Sequence, residues 1–298
     1  MLVWHCRLLM METFLKLLEW LNQDNLLPFC YFQQYTVSGQ SIPGSDPYQI
    51  FKEFVLQHRE RIIGLIETAN INKTVIKRSA CLRALIQKVA SDNMWDRVHL
   101  IDIGCSAGLN LLMDYWRINY LGVGEVGPTD SSVYFSINFT NGGAPPLGDL
   151  PEFLSRTGLD LDSFNLENEA DQRWLLGCLI PDCLETFEAT RMAMPLLSQY
   201  APRIVVGDAG AVLPSILASI PGNEPIIIMH SLVLCTMTPY QKQAIFRAIQ
   251  KASELRPVAR VCMEYAQKNC LLSISYGKDG GTMNVGEADA DGSWMTWY

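Results

Sequence analysis

Val98-His-Leu-Ile-Asp-Ile-Gly-Cys-Ser-Ala-Gly-Leu-Asn-Leu-Leu112 is the stretch that decides the fold. The apolar run ending at Ile103 has the length and branching of a buried strand. Two glycines, Gly104 and Gly108, bracket a turn, and a helix is predicted over 109–115. At such a turn glycine lets the backbone pass close to a ligand, and the first N–H groups of the helix point outward. A strand, a glycine turn and a helix in this order predict an α/β domain that binds a ligand where its strands end.

The same rhythm continues outward from this unit. Further strands are predicted at 157–161, 203–206, 225–230 and 258–265, after the first at 98–103. Helices are predicted between them at 171–179 with 184–197, at 213–220 and at 239–255. Strands alternating with helices imply a parallel, doubly wound, Rossmann-like sheet. Residues 116–156 read as a β-rich insertion, and 271–276 with 293–298 as a terminal antiparallel hairpin whose aromatics pack on the sheet edge. Upstream, 14–21 and 50–56 repeat apolar residues at helical spacing, separated by a Ser/Gly/Pro-rich loop at 38–47. In a third helix, 77–90, Leu82, Leu85, Ile86 and Val89 share one face. The expected organisation is a helical cap over 1–95, serving as scaffold or as a lid, and a Rossmann-like α/β domain over 96–298.

Composition narrows the function. The 298 residues are 49% apolar and 18% charged, with a net charge of −8 and no run of lysine or arginine. A phosphate-binding face would show as a basic stripe, so nucleic acid is not an expected partner, and a small-molecule substrate is. No apolar window is long enough for a membrane span. Arg7, Glu12, Lys16 and Glu19 interrupt the apolar start, so no signal peptide is read. Nine cysteines, an odd number without a C-x-x-C pair, are expected as buried free thiols in a reducing cytoplasm. No cluster has metal-ligand spacing, and His5, His58 and His99 read as structural or exposed.

Asp102, Gly104 and Gly108 give D-x-G-x-x-x-G, with Ser106 where a dinucleotide fingerprint would place glycine. S-adenosylmethionine carries no pyrophosphate. An acid at the strand end can orient its ammonium group, and helix N–H groups can face its carboxylate. The cofactor cradle is therefore expected at Asp102, Gly104, Cys105, Ser106, Gly108 and Asn110. Asp160, with Asp162 in reserve, would accept from the ribose hydroxyls, although about fifty residues separate Gly108 from it where a dinucleotide domain has roughly 20. Asp208 and Ala209 would read the adenine edge. His230 and Glu264 are the candidate catalytic groups, His230 because its ordinary pKa is near neutrality.

Each assignment has a structural counterpart. Any of the acids could cap a helix, and His230 could be a core histidine bonded to a carbonyl. The turn also spells G-x-S-x-G, and Ser106, Asp208 and His230 follow in hydrolase order. Against a serine hydrolase stand the missing Gly-rich oxyanion segment, the buried acid before the turn, and a histidine that closes a strand. A nicotinamide enzyme and a non-catalytic regulatory protein are the remaining alternatives. Arg173 or Trp174 could reach the pocket or simply pack.

The Ser-Ala-Gly-Leu-Asn-Leu string from Ser106, Gly158-Leu-Asp-Leu-Asp162, Asp171-Gln-Arg-Trp-Leu with Pro181 and Asp182, Val206-Gly-Asp-Ala209, Ile228-Met-His-Ser231 and Gly292-Ser-Trp-Met-Thr-Trp resemble the bacterial family catalogued as domain of unknown function 2332. The resemblance covers roughly residues 75 to 298. It implies an S-adenosylmethionine-dependent methyltransferase-like fold and carries no specific activity. Two departures stand out against it. Asn72-Lys-Thr-Val-Ile-Lys-Arg78 keeps the arginine of a Thr-Asn-Glu-type motif but has Val75 and no carboxylate, and Asp291 stands where His-Gly is usual. They imply a different substrate or a weakened site.

Overall fold

The computed structural model describes residues 52–53, 55–68, 74–162, 164–179, 183–277 and 281–298. The helix expected at 14–21, the loop at 38–47, Cys6, Cys30, His5, Asn72, Pro181 and Asp182 lie outside them, as does part of 50–56. The helices are α1 (Arg59–Thr68), α2 (Arg78–Asn93), α3 (Glu169–Gly177), α4 (Leu184–Tyr200), α5 (Ala209–Ser219) and α6 (Pro239–Ser253). The strands are β1 (Arg97–Ile103), β2 (Arg117–Leu121), β3 (Gly124–Val126), β4 (Tyr134–Gly142), β5 (Glu152–Asp160), β6 (Arg203–Val206), β7 (Ile226–Ser231), β8 (Val258–Ala266), β9 (Asn269–Tyr276), β10 (Thr282–Ala288) and β11 (Trp294–Trp297).

The chain divides into two compact units, residues 1–74 with 164–191, and residues 75–163 with 192–298. In the first, α3 begins because the Asn168 side chain accepts from the Ala170 amide at 2.9 Å, and Glu169 and Asp171 suit the positive end of the helix. Arg173 of this helix pairs with Glu169 at 2.6 Å.

The second unit contains the whole sheet, in the order β3-β2-β4-β11-β10-β9-β8-β7-β1-β5-β6. From β8 to β6 all neighbours are parallel. The chain passes from β1 to β5 and β6 on one side, then crosses through α5 to β7 on the other. That reversal makes the gap between β1 and β7 a topological switch point, where open α/β sheets bind ligands. β1 and β7 are buried along almost their whole length, and this is why they read as unbroken apolar runs.

Alternation along the strands sorts the side chains by face. Ile101, Ile103, Leu159, Ile226, Ile228 and Val258 meet Leu213, Ile216, Ile245 and Ile249 of α5 and α6 in one core. The other face receives α2, which contacts β7, β8 and β9. Cys81, Leu82, Leu85, Ile86 and Val89 of α2 are fully buried, and the Tyr120 hydroxyl on distant β2 donates to the Ala80 carbonyl at 2.8 Å. The sheet thus bends around α2. A helix so enclosed is held by tertiary packing more than by propensity.

Several expected elements differ. Residues Leu109–Tyr115 form a 3₁₀ segment with a kink at Leu112, not an α-helix. The strand expected at 157–161 starts at Glu152 and ends at Asp160. Helix α5 begins four residues earlier than its apolar pattern suggests, because Asp208 caps it. The β2–β4 excursion is not a local insertion: β4 pairs in parallel with β11, which extends the sheet at its far side. β11 is therefore an interior strand and Trp297 is buried, so the terminal aromatics do not lie on an edge. The C-terminal part is a meander of β9, β10 and β11 in place of a single hairpin.

Candidate functional site

The glycine turn is stitched to β5. The Gly104 and Cys105 amides donate to the Leu159 carbonyl at 2.7 and 3.2 Å, and the Ser106 amide donates to Asp160 Oδ2 at 2.7 Å. Gly104, Ser106 and Gly108 all have left-handed backbones, with φ of 76°, 52° and 82°. For Ser106 this is an uncommon conformation, held by the Asp160 carboxylate.

Asp102 is 3% exposed, and no group among the described residues donates a hydrogen bond to it. Burial, with Asp160 nearby, pushes its carboxyl well above the ordinary range. Ser106 Oγ and Asn110 Oδ1, on the same turn and the start of the 3₁₀ segment, are also buried without a partner. Orphaned polar atoms of this kind are costly, and two within five residues, downstream of Asp102, call for an explanation. They are the groups a zwitterionic ligand end would satisfy.

Other expected cradle residues do different work. Cys105 is buried against Gly158, where a Cβ would lie 2.4 Å from its Sγ, and burial raises its thiol pKa. Gly108 gives way to Ile204 and Pro202, 3.1 and 3.2 Å from a Cβ there. Asp160 Oδ1 accepts weakly from the Asp162 amide at 3.3 Å, and Asp162 itself is exposed. Asp208 accepts from the Ala211 amide at 3.1 Å and from Gln241 Nε2 at 2.5 Å, so it caps α5 and ties it to α6. Ala209 packs in the α5–α6 core.

His230 and Glu264 form a second cluster. His230 is 1% exposed, and its Nδ1 lies 2.7 Å from Glu264 Oε1. The Val233 and Leu234 amides donate to that same oxygen, each at 3.2 Å. Arg260 Nη1 faces His230 Nε2 at 3.5 Å, and Arg260 is held by Ser275 Oγ at 2.9 Å and by the Phe246 ring. Burial lowers the His230 pKa; Glu264 opposes this and Arg260 reinforces it. The ring is thus neutral, donating through Nδ1 and accepting at Nε2. Burial would raise Glu264, but the bond from His230 and those from the two amides hold it below the usual carboxylate range.

The two clusters occupy opposite faces of the sheet. Ile103 is the register partner of His230 and Asp102 that of Met229, so Asp102 and His230 point apart. The acids at the strand ends do not form one constellation. The hydrolase arrangement is likewise not assembled, because Ser106 Oγ has no partner while His230 and Asp208 are bonded elsewhere. Arg78, the arginine kept beside the Val75 departure, and Asp291, the other departure, come into one electrostatic neighbourhood. Arg78 Nε donates to the Ala290 carbonyl at 2.8 Å, and Asp291 offsets part of the burial that lowers the arginine.

Arg260, Gln241 and Val233 were not singled out from sequence. Arg260 had a signal: with Glu264 it occupies alternate positions of an otherwise apolar strand. Val233 had none, since its contact with Gly104 arises only when β7 lies beside β1. Among the described residues, no helix is long and apolar enough to cross a membrane. Cys81, Cys105, Cys235, Cys262 and Cys270 are free thiols, all but Cys235 buried. Residues 31–297 match a family described as an uncharacterized protein conserved in bacteria, DUF2332. No curated protein matches the chain.

Proposed function

The chain belongs to the bacterial family DUF2332, and from its switch-point geometry we propose that it binds S-adenosylmethionine and transfers a methyl group to a small-molecule acceptor. The observation that carries this reading is the unpaired, buried Asp102 carboxyl beside the orphaned Ser106 Oγ and Asn110 Oδ1. A cationic ammonium answers Asp102 and Asn110 Oδ1, both acceptors, and the Ser106 hydroxyl can donate to the carboxylate of an amino-acid end. The parallel order around β1, with β5 and β6 on one side and β7 and β8 on the other, supports the reading, since open α/β sheets take ligands at such a switch point.

In this reading Asp102 orients the ammonium group, and Asn110 and Ser106 hold the amino-acid end. Asp160, which fixes the Ser106 amide, would be the acceptor for the ribose hydroxyls. The bound donor supplies an electrophilic methyl on a sulfonium. Transfer then rests mainly on in-line positioning of the acceptor, so a general base is optional. Of the two acid–base candidates, Glu264 keeps Oε2 outside the three bonds gathered by its Oε1, but it shares the His230 face of the sheet and not that of Asp102. His230 orients Glu264, since both ring nitrogens already face protein groups.

Calorimetric titration with S-adenosylmethionine and S-adenosylhomocysteine tests the reading. Binding by both, weakened at least tenfold in Asp102→Ala, is the expected result. No heat from either at millimolar concentration would overturn it.

A further inference from the structure

The bare face of Gly104 is covered. A Cβ at this residue would lie 2.5 Å from Val233 Cγ2 and 2.7 Å from Val233 Cβ. Val233 therefore takes the space that a glycine at a strand end opens for close approach to the backbone. It sits on the short link after β7, between Leu232, a non-glycine residue at φ 53°, and the 3₁₀ turn Leu234–Thr236. Its side chain is partly buried and packs against the core beneath α5 and α6.

What keeps this link in place is specific. The Leu232 amide donates to the Met263 carbonyl at 2.9 Å, and the Val233 and Leu234 amides converge on Glu264 Oε1. The same oxygen receives His230, whose far side faces Arg260. A charged acceptor holding three donors makes stronger bonds than a neutral one, and a left-handed leucine persists only where its surroundings impose it. The geometry points to Val233 as a gate over the Gly104 turn, latched shut by Glu264, with His230 and Arg260 as positioning residues.

The inference rests on the turn being a ligand cradle, and it adds regulation to that site. A ligand that presses on Gly104 must first displace Val233, so its apparent affinity is reduced by the fraction of molecules in the open form. His230 and Glu264 thereby act on the glycine turn from the opposite face of the sheet. They reach it through the backbone of residues 232–234.

Two measurements separate the latch from the ligand. Amide hydrogen exchange without ligand reads the latch: Glu264→Gln is expected to speed exchange at Val233 and Leu234 about tenfold, as loss of a charge-assisted acceptor implies. His230→Asn should move the same amides in the same direction if the Gln variant does not fold. Unchanged exchange in a folded variant overturns the latch. Titration with S-adenosylmethionine and S-adenosylhomocysteine reads the gate. Val233→Ala is expected to bind about tenfold more tightly, since the closed form loses its contact and the space above Gly104 opens. Equal or weaker binding by Val233→Ala overturns the gate. If neither wild type nor Val233→Ala binds either compound, the methyl-donor reading fails with it, while the exchange result still decides the latch.

Discussion

Asp102 and His230 end neighbouring strands yet point to opposite faces of the sheet, because the register pairs His230 with Ile103. No single small ligand resting on Asp102 from the α2 side meets the imidazole. The histidine instead holds Glu264, and Glu264 holds the link that crosses over Gly104. The turn therefore has two supports. Asp160 fixes the Ser106 amide from β5, and Glu264 fixes Val233 above Gly104 from β8.

Asp102 is expected to trade stability for binding. Its folded pKa is raised by burial and by Asp160, so the folded state loses stability as pH rises from the unfolded carboxylate range toward the folded value. Above that value the penalty is complete. Asp102→Asn should raise the unfolding free energy at neutral pH by about 1–3 kcal/mol, with the gain shrinking below about pH 4. Urea denaturation at the two pH values measures this. A variant less stable than wild type at neutral pH would show that Asp102 is satisfied in solution.

Gly104 combines a left-handed backbone with a close neighbour, so Gly104→Ala meets two costs at once. Left-handed φ costs about 1–2 kcal/mol and overpacking about 1–3 kcal/mol. Val233→Gly in the same chain should recover the packing share and leave the backbone share, a coupling that a double-mutant cycle reads directly. Additive losses would mean that the Val233 contact yields without resistance.

The readable part of this fold was the part written in local patterns. Strands β1, β7 and β8, buried along most of their length, stood out as apolar runs, and α6 showed its helical periodicity downstream of a Thr238/Gln241 capping box. The glycine turn was readable for the same reason. Pairing between distant strands was not: nothing within 116–142 announces that β4 joins β11. Facing was not readable either. Whether Asp102 and His230 share a face depends on inter-strand register, and a one-residue difference reverses the answer. Asp208 shows the limit at its narrowest, since an acid before a helix reads equally as a cap or a ligand until its partners are seen.

Asp160 is expected to matter before any ligand arrives. Its Oδ2 receives the Ser106 amide at 2.7 Å, which holds a serine in a left-handed conformation. Asp160→Ala removes that acceptor and should cost about 1–3 kcal/mol, typical of a lost charge-assisted bond to a part-buried amide. Faster exchange of the Ser106 amide, without change at Val233, would locate the loss at the turn. Exchange unchanged at both sites would mean that the Leu159 carbonyl alone sets the turn.

The His230 pair should give acid sensitivity of a definite sign. Burial depresses the ring's folded pKa, Glu264 counters it, and Arg260 depresses it further. As pH falls through about 6.5, the unfolded chain takes up a proton that the folded ring refuses, and stability drops by up to about 1.4 kcal/mol per pH unit until the folded pKa is reached. Glu264, also depressed, adds to the loss at lower pH, where its bonds to His230 and the two amides are given up. Arg260→Gln removes the cation facing Nε2 at 3.5 Å and should move the His230 midpoint upward in a ring-proton NMR titration, with a shallower stability slope between pH 5 and 7. The charge at Arg260 sets this direction, so Arg260→Lys should keep the midpoint low. An upward shift of equal size in Arg260→Lys would assign the effect to lost packing on Phe246 instead of charge.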